Sequence, residues 1–525
     1  MSHSHYLKPI ALKKAIAKIL ITLLLVIFCS WGLLPGVAFA KTKTPANSTS
    51  IQPYLDQVIQ NMTEFRLDNG MKFIVLENHD APVVSFVTYT DVGGVDEPKG
   101  KTGLAHFLEH LAFKGTTRIG TKNYQLEKPL LERLDQLEKE LQAAKAAGKT
   151  DEVAELKTKF DATEILAAKV VNQNELGRIV EQAGGVGLNA TTSTEATRYF
   201  YSFPANKLEL WMFLESERFL DPVWREFYKE KNVILEERRL RVDNSPIGQM
   251  LEKFIDAAYT VHPYRRPVIG YEQDIRNLTR EDIEDFFVTH YIPSKITIAI
   301  VGDVQPNEVK KLAKVYFGRY QSRPEPNDKL PVEPKQAQAK EVTLKLKSQP
   351  WYLEGYHRPS ITHPDEAVYN IIGRLLSDGR TSRLYKSLVE EQRLALTAQG
   401  FSGYPGDKYP NLMLFYALTA PGESVDKVAS ALGKEINRLK TELVSKTELE
   451  RVKTQARARL LRNLDSNMGM AQQLLEYEIK TGSWRNLFKQ IDALEAVTAN
   501  DVQRVAKATF TPENRTVGKL LPQDG

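Results

Sequence analysis

Residues 99–116 read KGKTGLAHFLEHLAFKGT, and two chemistries compete for them. Gly100-Lys101-Thr102 is the ending of a phosphate-binding loop, whereas His106 to His110, HFLEH, carries a spacing suited to a metal. A phosphate loop places another glycine at position 95, but Val95 stands there and Gly94 comes one residue too early. Pro98, which has no N–H, would also remove a donor from the anion cradle. HFLEH has no internal Pro or Gly and lies among Leu104, Phe107, Leu108, Leu111 and Phe113, which predicts a helix. On that helix His106 and His110 are one turn apart on one face, as two metal ligands from a single element must be. Glu109, three residues from His106, falls near that face and within reach of a metal's water ligand. The alternative is two ordinary histidines on a surface helix.

The chain has 525 residues, which predicts two to four domains. Four lysines (Lys8, Lys13, Lys14, Lys18) precede the apolar run ILITLLLVIFCSWGLLPGVAFA, which ends in Ala38-Phe39-Ala40. A basic region, an apolar region and an A-x-A site predict a signal peptide over residues 1–40 and an exported protein, periplasmic or otherwise extracytoplasmic. It would be membrane-anchored only if that segment is retained. Its removal takes the net charge from +5 to about +1. A nearly neutral chain gives no electrostatic case for nucleic acid. The only cysteine, Cys29, lies in the same segment, so any metal site in the mature chain must use histidine and carboxylate.

From EFRLDNGMKFIVLEN (64–78) we expect a β-hairpin across Asp68-Asn69-Gly70, followed by a strand in PVVSFVTYTDVGG. Residues 126–172 have another texture, with Leu130, Leu134, Leu137 and Leu141 in a background of Glu, Lys and Gln. They predict a charged helical hairpin that projects from the body and turns at Gly148-Lys149-Thr150. VGLNATTSTEATRYFYSF (186–203) reads as strand, a helical tract runs from about Lys207 to Val242, and KITIAIVGDV (295–304) is strand again. Residues 319–340 hold four prolines among many charges and no apolar period, which predicts a linker. Beyond it, Val342–Leu346 and WYLEGYHRP read as strands, HPDEAVYNIIGRLLSDG and the residues after it as helix, NLMLFYALTAP as strand, and the remainder as long helices. The order is therefore an N-terminal half over 54–320 and a C-terminal half over 341–525. Their similar αβ order suggests duplication of one unit.

REFYKEKNVILEERRL (225–240) supplies Glu226, Glu230, Glu236 and Glu237. Read alone it is a charged helix. Yet Glu230 and Glu237 are two turns apart on one face while Glu236 points about 100° away, so one could be a ligand and the other orient ligands or water.

Here the sequence resembles the pitrilysin/insulinase peptidases, which carry the inverted motif H-x-x-E-H. The likeness is closest to the bacterial zinc peptidases and mitochondrial processing peptidase. It rests on GLAHFLEHLAFKGT, LNATTSTEATRYF, KEKNVILEE, HPYRRPVIG, YIPSKITIAIVGDV and SDGRTSRLYKSLVEE, in order. The resemblance implies an α/β (α+β) fold of two homologous halves, each an antiparallel sheet covered by helices, closing as a clamshell. It implies a zinc ion held by His106, His110 and Glu237, with Glu230 as the supporting glutamate. Glu109 would act as general base, and Asn189, Ala190 and Thr191 would offer a sheet edge to an added peptide strand. His110 and Glu237 are 127 residues apart, a longer separation than is usual in the family, so the hairpin reads as an insertion in the first half.

One departure bears on activity. Active relatives commonly carry an Arg and a Tyr in L-R-E-x-x-G-L-A-Y; here the stretch is LVEEQRLAL, with Val389 and Leu396 at those positions. Apolar side chains cannot hydrogen-bond an oxyanion, and nearby Arg383 and Tyr385 do not fit the spacing. The expectation is therefore a zinc endopeptidase subunit acting on peptides or unfolded polypeptides, with a second family subunit supplying the Arg/Tyr pair in a heterodimer, or with a second copy of itself. The alternative is a noncatalytic peptide-capturing or assembly scaffold of the same fold.

Overall fold

A computed structural model describes residues 52–326 and 329–523; the expected signal peptide, 1–40, lies outside them. Among the described residues, eleven strands form two sheets. The first contains β1 (Met62–Arg66), β2 (Lys72–Glu77), β3 (Val83–Thr90), β4 (Val186–Thr192), β5 (Thr197–Pro204) and β6 (Ile296–Gly302), in the order β1-β2-β6-β3-β5-β4. The second contains β7 (Lys340–Leu346), β8 (Trp351–Arg358), β9 (Ala395–Tyr404), β10 (Asn411–Thr419) and β11 (Arg515–Pro522), in the order β7-β11-β8-β10-β9. Apart from the extra β1, both sheets run first-fifth-second-fourth-third by order of appearance. In each, the first and fifth strands are parallel (β2 with β6, β7 with β11) and the other pairings antiparallel. The two-half mixed α/β architecture is thus written in the topology, although the sequence identity between halves is faint.

Several elements differ from expectation. The stretch 186–203 is two strands, β4 and β5, joined by a tight turn. The tract 207–242 breaks into Leu208–Leu220 and Phe227–Arg238, because Pro222 and Glu226, at φ +55°, interrupt it. It ends in a π turn, Arg239–Asp243. β9 and β11 lie where helix was expected. ALTAQGFSGY has scattered apolar residues and two glycines, and RTVGKLLP ends in proline, so pairing with neighbouring strands rather than local pattern makes them strands.

The hairpin helices are Tyr124–Ala146 and Thr150–Val170, joined through a small seam that includes Leu137, Leu141 and Leu156. They do not project freely. Phe160 meets the Tyr228 ring edge-on at 5.0 Å, and Asp135 accepts a hydrogen bond from Tyr228 Oη at 2.9 Å and pairs with Arg280. The hairpin therefore lies along the helix Phe227–Arg238. The proline-rich stretch is also held down, since Glu333 accepts the N–H groups of Thr260, Val261 and His262 at 2.6, 3.0 and 2.9 Å.

The described residues from Tyr54 onward fold as one unit, and each half lends a helix to the other. Pro246–Ala258 covers β7 and β11, and Asn467–Thr481 covers β3 and β6. Phe254 and Met250 of the first are fully buried beside Leu353, Leu414 and Leu520. A Cβ on Gly355 would come within 2.8 Å of Phe254 Cζ, and one on Gly518 within 3.0 Å of Met250 Sδ, so glycine on adjacent strands makes room for the ring. Burial of such a ring contributes about 1.5–3 kcal/mol. A polar contact reinforces the junction at the β4–β5 turn, where buried Glu195 accepts Tyr264 Oη–H and the Lys408 N–H at 2.8 Å and pairs with Lys480 at 3.1 Å. The second half thereby fixes one end of the edge strand β4.

Candidate metal centre

HFLEH lies in the helix Leu104–Leu111, and its start is tightly specified. Gly103 has φ +91°, and a Cβ there would lie 2.8 Å from Ile269 O. Glu97 accepts the N–H groups of Gly103 and Ala105 at 3.0 and 2.9 Å, satisfying donors that a helix N-terminus otherwise leaves open. Leu104, Phe107, Leu108 and Leu111 enter the first-half core, and Phe107 stacks on Phe227 at 4.8 Å. That stacking sets this helix against Phe227–Arg238, the element carrying the candidate carboxylates. The remaining face presents His106, Glu109 and His110.

The two helices bring three donors together. Glu237 Oε2 lies 3.8 Å from His106 Nε2 and 3.6 Å from His110 Nε2, and one ligand atom from each residue fits within 4.8 Å of the others. Ligands at about 2.1 Å around a tetrahedral zinc are about 3.4 Å apart, so the cluster fits that ion with small adjustments. Two imidazoles and one carboxylate are also a donor set that such a centre uses when a fourth position is left open. The other carboxylate oxygen, Oε1, pairs with Arg241 at 2.8 Å from the π turn, which fixes the rotation of the group. Glu230, one face-repeat earlier, accepts from His110 Nδ1–H at 3.2 Å and from Lys114 Nζ at 2.5 Å. Lys114 also binds Glu226, at 3.0 Å. Glu230 thus touches a donor histidine rather than the open side of the cluster. Glu236 points outward and pairs with Arg239.

The electrostatics set the two histidines apart. Burial, with His110 and Arg241 adding to it, pushes His106 down to about 3, so its imidazole stays neutral. Burial opposes charge on His110 too, but hydrogen bonding to Glu230 and the nearby Glu237 and Glu109 outweigh it and raise its pKa. Burial would also raise Glu230, yet the bonds from His110 and Lys114 prevail and hold it at about 2. Glu109 is raised, chiefly by burial and against the bond from Thr192. A carboxyl raised in this way is a better proton acceptor than an exposed one.

Thr192 Oγ1 donates to Glu109 Oε2 at 2.5 Å. The sequence offered no sign of this partner beyond its place in LNATTSTEATRYF, since the contact spans 83 positions. Thr192 ends β4, the outermost strand of the first sheet, so Glu109 is tied to that edge. Asn189 and Thr191 on β4 are exposed, while the Ala190 side chain turns into the core. Asn189 Oδ1 accepts the Ala190 N–H at 2.9 Å.

Elsewhere, Val389 packs against the second core and Leu396 is 51% exposed on β9. Arg383 is committed to Glu448 through two contacts at 3.0 and 2.7 Å. The rejected phosphate loop is tied to carboxylates, Thr102 to Asp274 and Lys101 to Asp282.

These features can be compared with known proteins. The family described as Insulinase (Peptidase family M16) matches residues 72–146, and Peptidase M16 inactive domain matches residues 277–456. The chain is 31% identical over 468 residues to a protein of Helicobacter pylori named Zinc protease PqqE, covering 87% of this chain and 92% of that one. It belongs to the M16 peptidase family. A crystal structure of a protease from Helicobacter pylori superposes with a TM-score of 0.74 at 26% identity, covering 88% of this chain and 99% of that chain. The chain is also 25% identical over 475 residues to an Arabidopsis thaliana protein named probable mitochondrial-processing peptidase subunit beta, covering 87% of this chain and 77% of that one. The first M16 match spans HFLEH and the first hairpin helix and stops before the second; the match named inactive spans Val389 and Leu396.

Proposed function

We propose that this chain is the metal-bearing subunit of a zinc endopeptidase that hydrolyses peptides or unfolded polypeptides. The observation that carries the reading is the convergence of His106, His110 and Glu237 beside a buried, pKa-raised Glu109. Zinc, when bound, supplies Lewis acidity toward a water ligand and the scissile carbonyl. Glu109 accepts the proton of the attacking water and delivers it to the leaving amine as the C–N bond breaks. Thr192 keeps the Glu109 carboxylate turned toward the substrate strand. Asn189, Ala190 and Thr191 on the edge strand offer backbone groups to an added peptide strand, which gives affinity with little dependence on sequence.

Glu230 is a positioning residue, because it holds His110 by the nitrogen that faces away from Glu237. Glu230→Gln is expected to weaken zinc affinity by about 10–100-fold, measured by competition with a chromophoric chelator. An affinity within twofold of the parent chain would remove Glu230 from this role.

Val389 and Leu396 support a shared active site, since neither can donate a hydrogen bond to an oxyanion. The relative named as a subunit of mitochondrial-processing peptidase supports the same reading. A heterodimer with a family chain bearing the Arg/Tyr pair is therefore proposed, acting outside the cytoplasm after removal of residues 1–40. The second reading, a peptide-capturing or assembly scaffold, is favoured by the same apolar pair and by the second half's match to a domain named inactive. Cleavage of a quenched unstructured peptide separates them. The proposal predicts chelator-sensitive cleavage when the mature chain is mixed with such a partner, and little from the chain alone. Cleavage by the chain alone would refute the division of labour, and silence in both with zinc bound would favour the scaffold.

A further inference from the structure

The proposed site depends on the position of β4, yet the sheet alone fixes that strand weakly. It lies at the edge and pairs on one side only, with β5. That pairing is continuous only from Asn189 to Thr192, with a register shift between Val186 and Asn189. At the turn that follows, the N–H groups of Gly94 and Val95 hold the Ser193 and Thr194 carbonyls at 3.1 and 2.8 Å. A further attachment comes from the second half. Glu195 accepts the Tyr264 hydroxyl and the Lys408 N–H on Oε1 and pairs through Oε2 with Lys480 at 3.1 Å. The two charged side chains of that pair are 2% and 10% exposed. A Cβ on Gly406 would collide with Glu195 Oε1, so the second half's loop closes directly over this carboxylate. Lys480 also pairs with Glu476, one helical turn back, at 2.8 Å and with Asp407 at 2.5 Å. Glu476 pairs with Arg198 at 2.6 Å, and Arg198 stands opposite Thr191 in the β4–β5 register. The helix Asn467–Thr481 therefore reaches both the turn and the strand behind β4.

We infer that Lys480 and Glu195 are positioning residues, through which the second half holds β4 in register for the peptide substrate. The inference rests on the peptidase reading above and deepens it, because it gives the second half, which lacks the Arg/Tyr pair, a part in substrate binding. Two considerations single out positioning. A buried ion pair adds little stability over apolar side chains of the same volume, and its best-attested use is to fix register. The attachment also lies at the end of β4 where register counts, since Thr192, three residues before Glu195, carries the hydroxyl that binds Glu109. Neither Glu195 nor Lys480 is among the clustered donors, so their effect on the reaction passes through the β4 backbone. That route predicts where a loss appears. A β4 edge that is loose in the free chain must be ordered by the arriving peptide, at a cost in binding. Once the peptide strand is paired, β4 has neighbours on both sides and Thr192 again meets Glu109. The loss therefore falls on KM rather than on kcat.

The test compares variants of the mature chain, with its partner subunit, on a quenched unstructured peptide. Glu195→Gln keeps an oxygen for Tyr264 and Lys408 but turns an amide N–H toward Lys480, which retains Glu476 and Asp407. It is expected to raise KM about 10-fold, the scale of one charge-assisted hydrogen bond. Its kcat and zinc content should stay within about twofold of the parent. Because the two side chains act as one link, the double variant Glu195→Gln, Lys480→Gln is expected to match Lys480→Gln alone. Lys72→Met serves as the control. It removes another tie between the halves, the pair with Glu478 at 2.6 Å, but at β2 rather than β4, and should leave KM unchanged. A merely structural role gives another pattern, in which fewer folded molecules lower kcat at constant KM and Lys72→Met does as much as Glu195→Gln. That pattern, an unchanged KM in Glu195→Gln, or additive effects in the double variant would overturn the inference. Absence of chelator-sensitive hydrolysis by the parent would count against the peptidase reading instead. The hold on β4 is then judged on the chain alone by hydrogen–deuterium exchange. Exchange across residues 189–197 about 10-fold faster in Glu195→Gln, and unaltered in Lys72→Met, supports it. Equal exchange in parent and Glu195→Gln overturns it.

Discussion

Glu109→Gln is expected to reduce peptide hydrolysis by about 10²–10⁴-fold, the usual contribution of a general acid–base group. Zinc content should be unchanged, because Glu109 is not among the three clustered donors. Glutamine keeps the shape and one acceptor for Thr192, so the β4 edge should stay in place. The substitution removes only the ability to take and return a proton. The measurement is initial rate on a quenched peptide together with zinc analysis of the same preparation. Activity within tenfold of the parent, at equal zinc, would exclude Glu109 as the base. A variant that loses both zinc and activity would show that the carboxylate holds the metal instead.

The second large effect concerns stability. Arg225 and Glu127 form an ion pair at 2.7 Å with side chains 1% and 0% exposed. Arg225 also donates to the carbonyls of Lys114, Ile119 and Thr116 at 2.6, 3.0 and 2.7 Å. It thus ties the hairpin root to the loop after HFLEH and to the chain entering Phe227–Arg238. Arg225→Met leaves a buried carboxylate and the Lys114 and Thr116 carbonyls without this donor, while Ile119 O keeps the Thr116 N–H, and is expected to cost about 3–5 kcal/mol. Adding Glu127→Met should recover part of that loss by removing the stranded charge, but not all, because the carbonyls remain unpaired. Urea denaturation of the single and double variants measures both numbers. A single-variant cost below about 1 kcal/mol would mean that water reaches the pair and that the hairpin is not anchored there.

How far the sequence could lead depended on the range of each interaction. The HFLEH helix and the seven-residue spacing of Glu230 and Glu237 are consequences of the helical period, so they were readable without coordinates. The membership in M16 peptidases and the two-half architecture were legible from motifs in order along the chain. What escaped was set by contacts between distant segments. β9 and β11 have little pattern of their own and are ordered by β10, β8 and β7. The exchange of Pro246–Ala258 and Asn467–Thr481 between halves has no local signature, since each reads as an ordinary amphipathic helix. Thr192 beside Glu109, Glu97 at the start of HFLEH and Arg225 under the loop all act on backbone or side chains that only the fold brings near. The hairpin was visible as a pair of charged helices. Its docking on Tyr228 was not, because the docking rests on Phe160 and Asp135, which look like unremarkable members of a solvated helix.

The proposed chemistry depends above all on where the metal sits. Diffraction from crystals of the mature chain, recorded on both sides of the zinc absorption edge, would locate the ion without relying on activity. A single anomalous peak per chain is expected between His106 Nε2, His110 Nε2 and Glu237 Oε2, absent from crystals of Glu237→Ala. A zinc-loaded chain with its peak elsewhere, or an undiminished peak in the Glu237→Ala crystals, would contradict the proposed centre.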